Sequence, residues 1–168
     1  MSYKQVLQTA YILHTIRYRD SSLIVELLTR DHGRVSLIAK GVRREKSRQR
    51  AFLQYFKKVK VSWQGKGDLY TLTHVEEFPY SVSTHPNLSG EALFCGFYLN
   101  ELLIKLIVKH DPVSELFELY DQTLVKMGSD KSRSLVLRIF EKKLLQLLGY
   151  GLALEFEADT GKKVKDNK

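Results

Sequence analysis

Between residue 5 and about residue 78, apolar and polar side chains alternate in short runs, which is the period of β-strands. One run shows it most clearly, because Val59, Val61 and Trp63 fall on one side of a strand and the polar residues between them on the other. Turn-forming residues separate neighbouring runs, as in DHG at 31–33 and GKG at 65–67. The pattern predicts five strands, at 6–14, 23–29, 35–39, 59–63 and 69–75.

After residue 86 the period becomes that of helices. Residues 89–109 are apolar on nearly all sides, so we expect this helix to form the buried centre of a bundle. A second helix is predicted to begin at Asp111 and Pro112, a capping residue followed by proline at the first helical position, and to end near Met127. A third helix is predicted from about residue 131 to residue 148.

The order of these elements indicates an α+β protein, in which a five-stranded β-barrel of the OB type precedes an α-helical bundle domain. Barrels of this type close their edges and use one face and its loops to bind oligonucleotides or oligosaccharides. We place the barrel domain at 1–80 and the helical domain at 81–152. The remaining residues, 153–168, have few apolar side chains and are expected to form a loose basic tail.

Charge is distributed unevenly along the chain. Residues 1–80 hold 15 Lys and Arg and 7 Asp and Glu, a net charge of +8, whereas residues 81–168 carry no net charge. The excess is concentrated between residues 40 and 60, where nine basic residues accompany one acid, Glu45. Such asymmetry indicates that the first half binds a polyanion, which leaves packing and partner binding to the second half.

The most basic part of this stretch is RREKSRQR, residues 43–50, which has no apolar side chain that packing could explain. Aromatic residues follow it, with Trp63 and Tyr70 expected close by across a turn, and cations combined with rings bind single-stranded nucleic acids. Phe56 and Trp63 are better explained as core residues, whereas Phe52 and Tyr55 fit either role. The predicted nucleic-acid-binding residues are Lys40, Arg43, Arg44, Lys46, Arg48, Arg50, Lys58, Lys60, Tyr55 and Phe52.

Two alternatives to nucleic-acid binding stay open for the basic stretch. It could be the binding surface of a non-enzymatic adaptor that holds the acidic tail of another protein, or a solvated face with no partner at all. Competition by single-stranded DNA separates nucleic-acid binding from the adaptor function, because only the former loses its ligand to the competitor.

Nothing in the sequence calls for catalysis. No nucleophile, phosphate-binding or metal-binding motif is present, and the five histidines are scattered without metal-ligand spacing, so we expect no enzyme, no cofactor and no metal. The one cysteine, Cys95, lies in an apolar run and is expected to be buried and inert. The N-terminus has no signal sequence and no stretch is apolar enough to span a bilayer, so the expected location is the cytoplasm.

Several separated segments closely resemble the RecO family of bacterial recombination mediators. They are YRDSSLIVELLTRDHGRVSLIAKGVRREKS at 18–47, FYLNELL at 97–103, ELFELY at 115–120 and LRIFEKKLLQLLGYG at 137–151. The resemblance implies an OB-fold domain followed by a helical domain, and a protein without enzymatic activity that binds single- and double-stranded DNA. It also implies annealing of complementary strands coated by single-strand binding protein, and RecA loading at gaps together with RecR, on the bacterial nucleoid during repair.

The same resemblance places functions on individual residues. Lys40, Arg43 and Lys46 fit the family pattern K-G-x-R-x-x-K-S of a basic DNA-contacting loop, in which Gly41 permits the turn. The acidic C-terminal tail of the single-strand binding protein is expected to bind the helical half. Family members usually continue past LGYG, some with a four-cysteine zinc site, so the C-terminal region is expected to be truncated here and to bind no zinc. The matching positions interpreted mainly as packing are Tyr98, Glu101, Leu102, Arg138, Phe140 and Glu141.

Overall fold

The computed structural model describes residues 3–79, 88–129 and 132–151. Its strands are β1 (Tyr3–Tyr18), β2 (Ser22–Thr29), β3 (Gly33–Ala39), β4 (Lys58–Gly65) and β5 (Leu69–Glu77), with a short 3-10 helix at Arg48–Ala51 between β3 and β4. Its helices are α1 (Glu91–Leu106), α2 (Ser114–Ser129) and α3 (Arg133–Leu147). The predicted α+β order, with strands first and helices second, is confirmed.

The five strands close into a barrel in the order β1-β2-β3-β5-β4. All neighbours are antiparallel except β3 and β5, which run parallel. β1 pairs with both β2 and β4, and its register shifts between Ile12 and His14 let it bend around the barrel. The alternation predicted for β4 is confirmed, since Val59, Val61 and Trp63 are fully buried inside the barrel. The architecture is the expected OB-type barrel.

A second core joins the outside of the barrel to the helices. The barrel contributes Tyr11, Leu13, Leu28 and Phe56, which pack with buried side chains of all three helices. The helical side includes Leu99, Leu103, Phe117, Tyr120, Leu124 and Phe140. The amide of Asn100, buried beside this core, is satisfied on both sides, because Asn100 Nδ2 donates to the carbonyl oxygen of Leu13 at 2.7 Å and Asn100 Oδ1 accepts from the Tyr120 hydroxyl.

Charged groups also connect the two halves. Lys58 Nζ lies 3.1 Å from both carboxylate oxygens of Asp121 on α2, and the Tyr11 hydroxyl donates to the same carboxylate. At the surface, Arg30 forms an ion pair of 3.0 Å with Glu118. Barrel and helices therefore share both a core and polar contacts. The predicted domain boundary near residue 80 and the predicted loose tail at 153–168 lie outside the described residues and stay predictions.

The expectation that the first helix is buried on all sides is wrong. α1 buries Ala92, Gly96, Leu99, Asn100 and Leu103 along one stripe. Among the described residues, two further helices and one face of the barrel pack against it, and its other sides carry exposed side chains. The exposed apolar residues of α1 are Phe94, Phe97, Tyr98 and Leu106. Cys95, expected to be buried, is only partly so.

The predicted start of the second helix is also wrong. α2 begins at Ser114, three residues after Asp111, so neither Asp111 nor Pro112 takes up the predicted capping arrangement. The residues before α2 are instead tied to the barrel, where the backbone N–H of His110 donates to the carbonyl oxygen of Arg34 at 3.0 Å. This hydrogen bond holds the linker between α1 and α2 against the β2–β3 turn. A local helix signal was overridden by a tertiary contact.

Of the family positions interpreted as packing, Phe140 is fully buried and Leu102 is half-buried. The others form polar pairs at the surface of the helices. Tyr98 Oη donates to Glu141 Oε1 at 2.8 Å, and this hydrogen bond is the main cause that raises the pKa of Tyr98. The remaining pairs are Arg138 with Glu141 at 2.6 Å and Lys105 with Glu101 at 2.7 Å. The packing interpretation is therefore wrong for the exposed members, Tyr98, Glu101 and Arg138.

Candidate nucleic-acid interface

The basic segment 43–50 is anchored to the barrel at both of its ends. Val42 and Leu53, which border it, are buried in the barrel core, with exposed fractions of 1% and 5%. The backbone N–H of Arg43 donates to the carbonyl oxygen of Ser21 at 2.9 Å, which ties the segment to the β1–β2 turn. Gly41, with φ +70, makes the turn predicted for this position. The cations therefore project from a loop with a defined position.

Most cations of this segment are free to bind a ligand. Across the described parts of the chain, four of them and the preceding Lys40 are exposed and have neither an ion pair nor a side-chain hydrogen bond to another residue: Lys40, Arg44, Lys46, Arg48 and Arg50. Arg43 differs, since it is half-buried and its Nη1 donates to the carbonyl oxygen of Arg19 at 3.1 Å. A group of like charges that form no ion pairs attracts a polyanion.

A groove of about 570 Å³ runs between this loop and the end of β1. Its basic lining comes from Arg17, Arg43 and Arg50, and its remaining wall from Thr15, Leu23, Leu53 and Gln54. Arg17 was missed by the sequence reasoning, which considered only cations that follow one another between 40 and 60. The available signal was the pair Arg17 and Arg19, at the end of β1 and in the β1–β2 turn. This turn lies at the same end of the barrel as the loop after β3.

Two predicted lysines lie elsewhere and already have intramolecular contacts. Lys58 Nζ binds Asp121 and lies 4.7 Å from the centre of the Phe78 ring, with only 13% of the side chain exposed. Lys60 Nζ donates to Thr9 Oγ1 at 2.8 Å. Both side chains stand on the outer face of β4 beside β1, and neither lines the groove. Their contact with DNA stays a prediction.

The aromatic residues near the basic segment are largely occupied by the fold. Phe56 is buried, as predicted, and Phe52 packs partly against the barrel core. Tyr55 is half-buried, with its hydroxyl 3.1 Å from His14 Nδ1 and its ring 5.2 Å from that of Phe97. The groove is thus cationic, and the stacking contacts predicted for Phe52 and Tyr55 remain predictions.

Trp63 and Tyr70, expected beside the basic segment, are at the other end of the barrel, which corrects the sequence reasoning. β1 shows the separation: Tyr3 pairs with Gly65 at one end, and Tyr18 pairs with Ser22 at the other. The reason is that β4, which is eight residues long, runs antiparallel to β1. Its last residues, which include Trp63, therefore lie beside the first residues of β1, at the end of the barrel opposite the basic loop. Trp63 and Tyr70 are therefore near the basic segment in sequence and far from it in the structure.

Two further observations concern other kinds of site. Within residues 3–79, 88–129 and 132–151, no group of three or more His, Cys, Asp or Glu side chains is placed to hold a metal ion. None of the three helices found in these ranges is long and apolar enough to cross a bilayer.

Comparison with known proteins agrees with the order of barrel and helices. The family model described as Recombination protein O N terminal matches residues 1–78, and the one described as Recombination protein O C terminal matches residues 88–168. Together they cover both the barrel and the helices.

Curated relatives named DNA repair protein RecO match nearly the whole chain. The protein of Nitrosococcus oceani is 44% identical over 160 residues, which is 95% of this chain and 63% of the relative. Those of Methylococcus capsulatus and Dechloromonas aromatica are 44% and 45% identical over 163 and 155 residues, or 97% and 90% of this chain and 66% and 62% of the relatives. The chain thus spans somewhat less than two thirds of these relatives' length, and on these matches it belongs to the RecO family of DNA repair proteins.

Proposed function

We propose that this protein binds single- and double-stranded DNA in the groove beside the basic loop and acts there without enzymatic chemistry. The observation that carries the proposal is the arrangement of cations. Arg17, Arg43 and Arg50 line the groove, and further exposed cations of the loop stand beside it without acidic partners among the described residues. The names of the relatives, DNA repair protein RecO, support DNA as the polyanion.

The expected recognition is of the phosphate backbone. Arginine and lysine side chains that neutralise phosphates release condensed counterions, which contributes binding free energy irrespective of base sequence. Contacts to phosphates set the position of a strand and do not read its bases. A groove with these properties fits annealing, because a cationic surface that screens two like-charged strands lowers the repulsion between them. We therefore propose that the protein promotes the annealing of complementary strands.

The partners belong to the same proposal. We infer that the helical half contacts RecR and the acidic tail of the single-strand binding protein, and that these contacts direct RecA loading to gaps. The support is the division of charge, since residues 81–168 carry no net charge while the barrel half carries +8. Exposed apolar side chains on α1 and α3, such as Phe94 and Leu135, offer contact area that the groove lacks.

The decisive experiment removes three cations from the groove side of the protein. In the variant Arg43→Ala, Lys46→Ala, Arg50→Ala, the slope of log K against log salt for a single strand should flatten by ~2, at ~0.7 for each lost phosphate contact. At 0.1 M salt this corresponds to a loss of affinity of about a hundredfold. The loss should be similar for different base sequences, and the annealing rate should fall with it.

A matched control removes the same amount of charge elsewhere. Lys126, Lys142 and Lys143 are exposed on α2 and α3, so their replacement by alanine lowers the net charge equally while leaving the groove intact. The control variant should keep the salt slope of the unmodified protein. A folded groove variant with an unchanged slope contradicts the proposal. If the groove variant instead loses binding to an acidic polypeptide while strand binding persists, the basic loop is an adaptor surface.

A further inference from the structure

A second cavity, of about 250 Å³, lies at the end of the barrel opposite the basic loop. Five rings surround it, each in contact with the next. The ring centres of Trp63 and His32 are 5.5 Å apart, those of His32 and Tyr3 6.2 Å, and those of Tyr3 and Tyr70 5.7 Å. The series ends with His110, 5.5 Å from Tyr70. We call this cavity the aromatic pocket.

The rings of the aromatic pocket come from distant parts of the chain and are held together by tertiary contacts. Three of the four pairs meet at nearly a right angle, at 89°, 90° and 87°, which gives the pocket walls that face in different directions. His110 is brought in by the linker between α1 and α2. The backbone N–H of His110 donates to the carbonyl oxygen of Arg34 at 3.0 Å, and this hydrogen bond fixes the His110 wall of the pocket against the barrel. The pocket is therefore completed only when the helical half packs on the barrel.

The charge of the aromatic pocket excludes anionic ligands. No Lys or Arg is among the described residues that line it, and one carboxylate, Asp31, is. Burial, reinforced by His110 and partly offset by Asp31, lowers the pKa of His32 below its ordinary value of 6.5, so this ring is uncharged at neutral pH. A phosphate group finds neither lysine nor arginine here, which distinguishes this pocket from the groove at the other end.

The hydrogen-bonding groups of the pocket define its ligand further. Trp63 is fully buried, and its indole N–H has no acceptor among the described residues, which leaves a buried donor to be satisfied. The Asp31 carboxylate supplies an acceptor in the same lining. A planar ring that carries both a ring nitrogen acceptor and an amino donor matches this pair, and its faces can stack on the surrounding aromatic side chains.

We propose that the aromatic pocket binds one uncharged heteroaromatic ring with an amino group, as in adenine or cytosine. The inference goes beyond the proposed function, because this site is separate from the groove. The base could belong to a free nucleoside or to a DNA strand, and the chemistry of recognition is the same in both.

The experiment uses the one tryptophan of the chain as the reporter. In the full chain labelled with nitrogen-15, the indole N–H of Trp63 gives a single resonance, which is followed during titration with adenosine, cytidine, thymidine or choline. Adenosine and cytidine should move this resonance to saturation, and thymidine, which must donate through its ring N3–H in place of an amino group, should bind more weakly. An indole resonance that stays in place with every nucleoside overturns the proposal. Movement with choline alone also overturns it, since a quaternary ammonium ion would then be the ligand of the rings.

Substitutions test whether the rings carry the binding. Tyr70→Leu should weaken adenosine binding by about fivefold to a hundredfold, the range expected for loss of one stacking partner. Tyr3→Leu provides a second variant at an exposed position, so a folding defect at Tyr70 leaves the proposal testable. The matched control is Tyr150→Leu, which changes a tyrosine that is 73% exposed and outside the pocket, and should leave adenosine binding unchanged. Adenosine affinity that is equal in all four proteins contradicts the proposal.

The groove variant Arg43→Ala, Lys46→Ala, Arg50→Ala separates this proposal from the proposed function. Its response to adenosine should match that of the unmodified protein, and loss of that response overturns the pocket as the site. An indole shift with short oligo-dA as well as adenosine identifies a base within a strand, and a shift with adenosine alone identifies a free nucleoside. If no nucleoside moves the indole resonance while the groove variant still shows a flattened salt slope, the pocket proposal fails and the DNA groove stands.

Discussion

The two ends of the barrel differ in almost every physical property. The basic end, formed by the β1–β2 turn and the loop after β3, is cationic, and most of its charged side chains are exposed. The aromatic end, formed by the start of β1, the β2–β3 turn and the start of β5, is lined by rings and closed by the linker before α2. The basic end fits the proposed attraction of a polyanion, and the aromatic end fits the proposed contact with a single small ring.

The difference also concerns how each end depends on the helices. The basic loop is fixed by barrel residues alone, through Val42, Leu53 and the hydrogen bond from Arg43 to Ser21. The aromatic end requires His110, which belongs to the helical half. Damage to the contact between the halves should therefore affect the aromatic end first. Three predictions test this contrast.

The largest effect on stability is expected from glycines at the two ends. A Cβ on Gly33, where φ is +62, would lie 2.2 Å from the carbonyl oxygen of Asp111, whereas a Cβ on Gly41, where φ is +70, would lie 3.7 Å from the Arg44 side chain. Gly41→Ala should cost about 1–2 kcal/mol for the left-handed backbone alone. Gly33→Ala should cost about 2–5 kcal/mol, because overpacking against the linker adds about 1–3 kcal/mol.

Urea unfolding of the two glycine variants measures this difference, with the unmodified protein as reference. The indole resonance of Trp63 should also move in Gly33→Ala and stay in place in Gly41→Ala, since only the former displaces the linker. Equal losses of unfolding free energy would mean that the linker does not press on the β2–β3 turn.

An intermediate effect is expected at Lys58. Its substitution tests whether the proposed DNA interface extends beyond the basic end along β4. Lys58→Met leaves the partly buried Asp121 carboxylate without its ammonium partner, so the free energy of unfolding should fall by about 1–3 kcal/mol. The salt slope of DNA binding should hardly change, because Lys58 does not line the groove and is paired with Asp121. The matched variant Arg50→Met should do the opposite, with stability within about ±0.5 kcal/mol and a slope flatter by ~0.7. If Lys58→Met flattens the slope as much as Arg50→Met, the DNA interface extends along β4.

The smallest effect is a pH dependence at the aromatic end. Burial lowers the pKa of folded His32 below 6.5, so the unfolded chain binds more protons at this residue as the pH falls through that value. The contribution to stability is therefore present above pH 6.5 and is lost as the pH falls towards and through the folded pKa. Solvent screens this partly exposed ring, so the slope is shallow.

This prediction is tested by measuring the free energy of unfolding from about pH 7.5 to about pH 5, the interval around an ordinary histidine pKa. His32→Gln should flatten the decline towards acid. His74→Gln, at an exposed histidine on β5, serves as the control. A decline that is identical in all three proteins contradicts the assignment of this pH dependence to His32.

Local patterns predicted much of the fold. The alternation in β4 correctly placed Val59, Val61 and Trp63 inside the barrel, because a strand with one buried face must alternate. The same reasoning failed for α1, whose apolar residues exceed the surface available to bury them, so that Phe94 is 74% exposed. Composition indicates that a helix has apolar side chains to bury. The number of elements that pack against the helix decides how many of its sides are buried.

The candidate site was predicted in part. The basic loop follows directly from its sequence, since a run of cations without apolar residues must stay at the surface. Arg17 could not be found in this way, because it lies on β1 and meets the loop only through the closure of the barrel. Lys58 shows the reverse case, where a cation next to the loop in sequence is directed to Asp121 on α2.

By itself, the sequence determined the order of strands and helices, the burial of alternating residues and the presence of a cationic loop, because these depend on neighbours along the chain. The tertiary structure alone decided which cations share a groove, which of them pair with acids, and that five rings from distant segments surround one pocket. The physical reason is that barrel closure and helix packing bring together residues with no local relation. Charge and side-chain alternation are local properties, whereas a binding site is a property of distances between segments.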